Sequence, residues 1–394
     1  MEVRLIGRRL REIRHAHGTS LRAVAGLAGI SPSHLSQMES GIRALDRHCL
    51  IVALADALGT SPPELTTLPV PAPGNGGTDS AIEAVRQALL AVGHQRPGGQ
   101  VVPVEALRAQ VAGTVDAYCR CDLPGEVGVA LSGLVRDLHS SIAAGRDTAE
   151  LLDLAMLLHT QVTAGWLRIV GAPVDLRAQA VVLAGQAARE LDTPTALGLA
   201  AWGGLHVMIT AGTFDLALAE LDAVTVPTDT WESMQLAGML AMCRSLLAAV
   251  DSRPEDVAAP FEQAMELAER TGEGNAYGMG FGPTTVGLWR MYSCLDVGDY
   301  AQAVRIGDGL HPEAHLPPLG RADYWVTYGR ALARVRGRRD DAVVALQRAE
   351  EISPYRLCRD FFATGVIAEL IAWFREDSVD RELRGMAHRA GLLR

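Results

Sequence analysis

Apolar residues recur at three- and four-residue intervals along nearly the whole chain, and strand-type alternation is rare, so the pattern predicts helices throughout. The first puts Ile6, Leu10 and Ile13 on one face between residues 6 and 17, with Arg8, Arg9, Arg11 and Glu12 elsewhere. Gly18 stands where a left-handed cap ends such a helix. Ser20 is placed to cap a short second helix carrying Leu21, Val24, Ala25 and Ala28, which stops at Gly29. Ser31 and Pro32 open a third: a capping hydroxyl, then the residue whose missing N–H costs nothing in a first turn. It runs to Gly41. A fourth apolar run spans Leu50 to Leu58, and S-P-P-E-L at 61–65 starts a fifth. At 69–78 the text becomes P-V-P-A-P-G-N-G-G-T, in which proline blocks helix and glycine removes restraint, as in an interdomain linker. Beyond it, helical spacing returns with Gly or Pro breaks every 12 to 20 residues, the signature of many helix hairpins.

Composition makes this an all-α chain in two parts. Its 394 residues exceed what one hydrophobic core supports, so the reading is 1–68, a linker at 69–78, and a larger unit at 79–394. Of the residues, 48% are hydrophobic but only 5% aromatic, and the surplus is Ala, Leu and Val rather than β-branched runs. No stretch reaches the roughly 18 uncharged apolar residues needed to span a bilayer. The start, MEVRLIGRRLREIRHAHG, mixes Arg with Glu where a signal peptide has an apolar centre. A cytoplasmic protein without a membrane partner is expected. The six cysteines (49, 119, 121, 243, 294, 358) are too scattered for a disulfide framework. Cys119 and Cys121 form a C-x-C pair with no second Cys/His pair of zinc-like spacing nearby, so neither a metal nor another cofactor is expected.

The segment S-L-R-A-V-A-G-L-A-G-I-S-P-S-H-L-S-Q-M-E-S-G at 20–41 resembles the helix-turn-helix signature of Xre/Cro-type phage repressors, a family whose second helix enters the major groove. The likeness extends through Arg43, the fourth helix and S-P-P-E-L, about a sixth of the chain. It implies a five-helix DNA-binding domain in which Leu35 and Met38 are buried and Ser31, Ser33, His34, Ser36 and Gln37 face base edges or phosphates. Gln37, whose amide donates and accepts at an adenine edge, is the candidate base reader. The resemblance places Arg43 and Arg47 by the phosphate backbone and makes Arg14 and Glu39 an ion pair fastening helix one to the reader. Where the family commonly has a phosphate-contacting Gln at the start of helix two, this chain has Leu21. Charge agrees with DNA binding confined to the head: residues 1–68 hold eight arginines against six acids, although the whole chain is net −10. Because one recognition helix discriminates little, a homodimer is expected, on operator DNA with half-sites about 10 bp apart or a multiple of that.

In the larger unit, D-Y-W-V-T-Y-G-R-A-L and the residues after it, 323–354, resemble a tetratricopeptide repeat, with Gly329 and Leu332 in its first helix and Ala342, Leu346, Ala349 and Pro354 in its second. Weaker copies lie at 212–221, 261–264 and 298–304. Such hairpins bury their apolar faces by stacking, which implies a curved α-solenoid with a concave wall; an irregular helical bundle is the alternative. Aromatic and polar residues gather between 200 and 330, and Trp202, His206, Trp231, Tyr277, Trp289, Tyr292, Tyr324 and Tyr328 are candidates for contact with a peptide or small-molecule effector, against the alternative that they only pack the repeats. The Gly-rich run 271–283 lacks the Lys-Ser/Thr of a phosphate loop and no strand precedes it, so it reads as a lid or distorted turn. Neither G-x-S-x-G nor H-E-x-x-H occurs, and no enzyme is expected. Two roles stay open for this unit: an effector sensor, or a protein-interaction and dimerisation scaffold with no small ligand.

Overall fold

The computed structural model describes residues 5–66, 76–122, 126–278, 280–373 and 381–393. Among them every regular element is a helix, and the one pairing of extended backbone is an isolated bridge between Gly274 and Phe281. The chain is all-α, as the spacing predicts.

Five helices form the head: α1 (Leu5–Ala16), α2 (Leu21–Leu27), α3 (Pro32–Glu39), α4 (His48–Leu58) and α5 (Pro62–Thr66). Their ends follow local chemistry. The Ser20 hydroxyl accepts from Ala23 N at 3.2 Å and the Ser31 hydroxyl from His34 N at 3.1 Å, while Gly18 and Gly29 take the left-handed φ that ends α1 and α2. Leu10, Ile13, Val24, Leu35, Met38 and Leu54 make the core. Gly7 sets how closely α1 crosses α3, since a Cβ there would lie 2.0 Å from the Met38 carbonyl oxygen.

Most of the expected linker, 69–75, lies outside the described residues, and its last three positions belong to the helix Gly76–Gly93. From there the body builds three cores in succession. The first gathers Gly76–Gly93, Val104–Cys119 and Glu126–Ala143 around the fully buried Trp166. The second lies among Pro194–Ala211, Trp231–Val250 and Ala258–Thr271. The third joins Pro283–Val297, Pro318–Leu332, Arg339–Ile352 and Phe361–Trp373. Single helices link them: Leu151 serves the first core and Leu152 the second, and Trp289 serves the second and Leu288 the third. The chain then turns back on itself. Leu319 joins the first core, because Pro318–Leu332 packs against Val104–Cys119, and this return encloses a space between the early and late helices.

Trp231–Val250 has the length and apolarity of a membrane span, with a mean hydropathy of 1.4, yet 83% of that window is buried inside the fold. Its apolar surface is used in the second core. The hairpin expected at 323–354 is present as Pro318–Leu332 against Arg339–Ile352, with Gly329 at the contact: a Cβ there would meet Leu346 Cγ at 2.9 Å.

Candidate nucleic-acid interface and cavity

On α3 the buried and exposed positions alternate as one helical face requires. Leu35 and Met38 are buried, while Ser31, Ser33, Ser36 and Gln37 are exposed. Arg14 clamps α3 to α1 from behind: its Nε and Nη2 donate to the two Glu39 carboxylate oxygens at 2.6 and 2.9 Å, and its Nη1 donates to the Thr19 carbonyl at 3.1 Å. His34 is half-buried, and burial together with the Arg43 and Arg47 cations lowers its pKa, so it offers a neutral ring. Leu21, the departure at the start of α2, packs against the head's core. Arg43 is half-buried. Arg47 turns towards the body, with Nη1 3.6 Å from where a Cβ on Gly298 would stand.

The loop after α3 and the start of α4 hold the head on the body. Asp46, 5% exposed, accepts from Arg334 Nε at 2.8 Å and from the Tyr300 hydroxyl at 2.7 Å. Burial would raise its pKa, but Arg334, Tyr300 and Arg330 outweigh that and hold it low. Arg334 also pairs with Glu369, which accepts from Ala44 N at 2.8 Å. His48 donates its backbone N–H to Asp296 at 2.8 Å and sets its ring against that carboxylate at 3.0 Å and edge-on to Phe362. Partners of this kind, far away in sequence, carry no local signal, and sequence reasoning missed the whole set.

Behind this seam lies a cavity of about 1860 Å³. Part of its wall belongs to the head: His48, Ile51, Val52, Pro62, Pro63 and Thr66. A second part is a single helical stripe, Asp153, Met156, Leu157, Thr160, Gln161, Ala164, Gly165 and Arg168, which runs through a π-helical turn at Leu158–Thr163. Such turns often mark functional sites in helices. Of the aromatic candidates, Trp202, His206, Tyr277, Trp289 and Tyr292 line the cavity. His206 and Trp289 stand 5.8 Å apart, Trp289 and Tyr292 6.2 Å. Burial, aided by the Arg168, Arg177 and Arg356 cations, pushes His206 down to about 3, so it stays neutral.

The other three candidates lie elsewhere. Tyr324 is 3% exposed in the third core, donates to the Gly307 carbonyl at 2.9 Å and stacks on Tyr328, whose hydroxyl is bound by Asp308. Both fasten the Tyr300–Asp308 helix to Pro318–Leu332. Trp231 is 39% exposed at its helix start and donates to the Thr271 carbonyl at 3.0 Å. Tyr324 and Tyr328 serve packing and Trp231 stands partly exposed beside Gly274, so none of the three is itself part of the cavity wall, which a count of aromatics does not reveal.

The Gly-rich run is a pinned turn on the cavity wall. Gln235 accepts from Ala276 N at 3.0 Å, Glu273 from Thr284 N at 2.9 Å and Asn275 from Gly280 N at 2.8 Å, while the Gln161 amide donates to the Tyr277 carbonyl. Phe281, 1% exposed, anchors it against Gly238. Among the described residues no three His, Cys, Asp or Glu side chains gather to hold a metal, and Cys119 and Cys121 are half-buried free thiols.

Sequence reasoning also missed the cavity's arginines. Arg177 shares a helical stripe with Ala180, Ala184 and Ala187, all buried, and a charge placed on an apolar stripe is the signal that would have found it.

Comparison with known proteins agrees with the geometry of the head. No curated protein and no solved structure matches the chain. Residues 5–68 match the family model of a helix-turn-helix domain, and that span coincides with the five helices α1 to α5.

Proposed function

We propose that this chain is a sequence-specific transcription regulator of the Xre/Cro type, working in the cytoplasm as a homodimer on operator DNA and performing no catalysis. Its body is a tetratricopeptide-like sensor whose effector occupies the cavity. The observation that carries the DNA reading is α3: Ser33, Ser36 and Gln37 are exposed on the outer side of a helix clamped from behind by Arg14 and Glu39. A fixed, polar, outward helix is what direct readout needs. The sensing role is supported by the cavity wall, since α4 and α5 supply part of it. A ligand touching that wall therefore contacts the head itself, and it shifts operator affinity by its differential affinity for two head placements.

The test is operator affinity, with the site first located by immunoprecipitation and sequencing of bound chromosomal DNA. Replacing Gln37 and Arg43 together by alanine should weaken specific binding by about 1–3 kcal/mol for the lost base contact, with a shallower salt dependence for the lost phosphate contact. Unchanged affinity in the doubly substituted protein would sink the reading.

A further inference from the structure

Buried arginines in this fold are, with one exception, neutralised. Arg14 faces Glu39, Arg334 faces Asp46 and Glu369, and Arg356 faces Asp323 and Asp360. Arg177 is the exception among the described residues. It is 7% exposed, its Nε has no acceptor and it forms no ion pair. The charge acting on it is another cation, Arg168, and burial together with Arg168 pulls its pKa down to about 10, so it remains charged at neutral pH. An uncompensated buried guanidinium is costly. Destabilising features of this kind are tolerated at functional sites.

Both side chains line the cavity. Arg168 comes from the helix Ala164–Ile169 that leaves the π-helical turn. Arg177 sits in the first turn of Val174–Leu191, whose N-terminus has no side-chain cap and, with Ala172, Pro173 and Val174, forms part of the same wall. Donors and dipole there favour an anion. Both arginines share the cavity wall with the rings of His206, Trp289 and Tyr292, which lie side by side at 5.8 and 6.2 Å. Arg356 and its two acids already satisfy one another, whereas Arg177 has no ion pair to offset its charge.

We propose that Arg168 and Arg177 bind the oxyanion of an organic effector, a carboxylate or a phosphate ester, whose apolar portion lies against Trp202, Trp289 and Tyr292. The planar guanidinium fork suits either anion. The word effector rests on the sensing role proposed above; the anion site rests on the cavity wall alone.

The experiment uses the full chain and three probes of like size, phenylacetate, phenyl phosphate and the neutral phenylacetamide, at matched ionic strength. Binding is followed by tryptophan fluorescence and thermal shift. Wild type should bind at least one anion saturably, and which one identifies the source; the amide should leave it unchanged. Arg177→Met and Arg168→Met should each weaken that anion roughly 30-fold or more, as removal of one partner from a buried charge pair does. Without ligand, Arg177→Met should melt no lower than wild type, because no carboxylate is left stranded. The proposal is overturned if neither anion binds saturably up to tens of millimolar, or if Arg177→Met responds as wild type does. Operator binding without any added anion, measured alongside, separates the two ideas. Intact DNA binding with no anion response removes the site alone, whereas anion binding by a protein that ignores DNA removes the regulatory reading and leaves the site.

Discussion

The seam between head and body and the cavity wall behind it are built from the same materials, arginines, acids and aromatic rings, but they treat charge in opposite ways. At the seam each acid meets a partner: Asp46 and Glu369 meet Arg334, and Asp296 meets the backbone N–H and ring of His48. On the wall Arg177 has no acid paired with it, and the neighbouring charge that acts on it is that of Arg168. Charge neutralised from within fixes a geometry, whereas charge left open asks for a partner from outside. The two regions share residues, because His48 is at once a seam contact and part of the wall. Whatever fills the cavity acts at the place where the head is held.

The largest effect should come from breaking the seam. Arg334→Ala removes the shared partner of Asp46 and Glu369 and strands two acids, one of them 5% exposed. The cost should be about 3–5 kcal/mol, read from denaturant unfolding. Arg177→Met, a loss of the same charge one wall away, should cost little. If both substitutions destabilise alike, the contrast between paired and open charge is wrong.

A second test uses pH. Burial holds His206 neutral with a pKa of about 3 and His139 with one of about 4, both below the ordinary value near 6.5. The unfolded chain therefore takes up protons below about pH 6.5 that the folded chain refuses until pH 4 or 3. Stability is complete above about 6.5 and falls as pH drops through that window, by roughly 1.4 kcal/mol per pH unit for each histidine. Asp360, held at about 2 by Arg356 and Arg330 against the opposing effect of burial, contributes in the same direction but only below the ordinary aspartate range near 3.9. His206→Gln should flatten the slope between pH 6 and 4 by about one proton, measured as urea midpoints across that range. An unaltered slope would mean that His206 is not a buried neutral group.

How much of this was legible depends on how far apart the partners lie. Ser20, Ser31, Gly18 and Gly29 mark helix ends through bonds to residues a few positions away, and the structure has each in that role. The hairpin at 323–354 was legible for the same reason, since Gly329 and Leu346 lie in adjacent helices. The seam was not, because Asp46 and His48 find their partners 288 and 248 residues away. The cavity falls between these cases. Aromatic clustering pointed to Trp202, His206, Tyr277, Trp289 and Tyr292, and equally to Trp231, Tyr324 and Tyr328, because composition does not say which helix face turns inward. Arg177 was readable in principle, as a charge on an alanine stripe, but only the fold shows that no acid waits opposite.

The smallest effect tests whether the seam joins head and body into one unit. The Ser31 hydroxyl caps α3 by accepting from His34 N, and Ser31→Ala should cost about 1 kcal/mol. With the seam intact, the head cannot loosen without giving up the pairs at Asp46 and His48, so that loss should appear in the single unfolding transition of the whole chain. In the Arg334→Ala background the same substitution should act on the head alone. Amide exchange along α3 should then speed up about fivefold, the exchange equivalent of 1 kcal/mol, while amides of the helix Trp231–Val250 keep their rate. Equal acceleration in both helices would show that pairs other than those of Arg334 couple the two units, and the contacts of His48 with Asp296 and Phe362 would be the ones to break next.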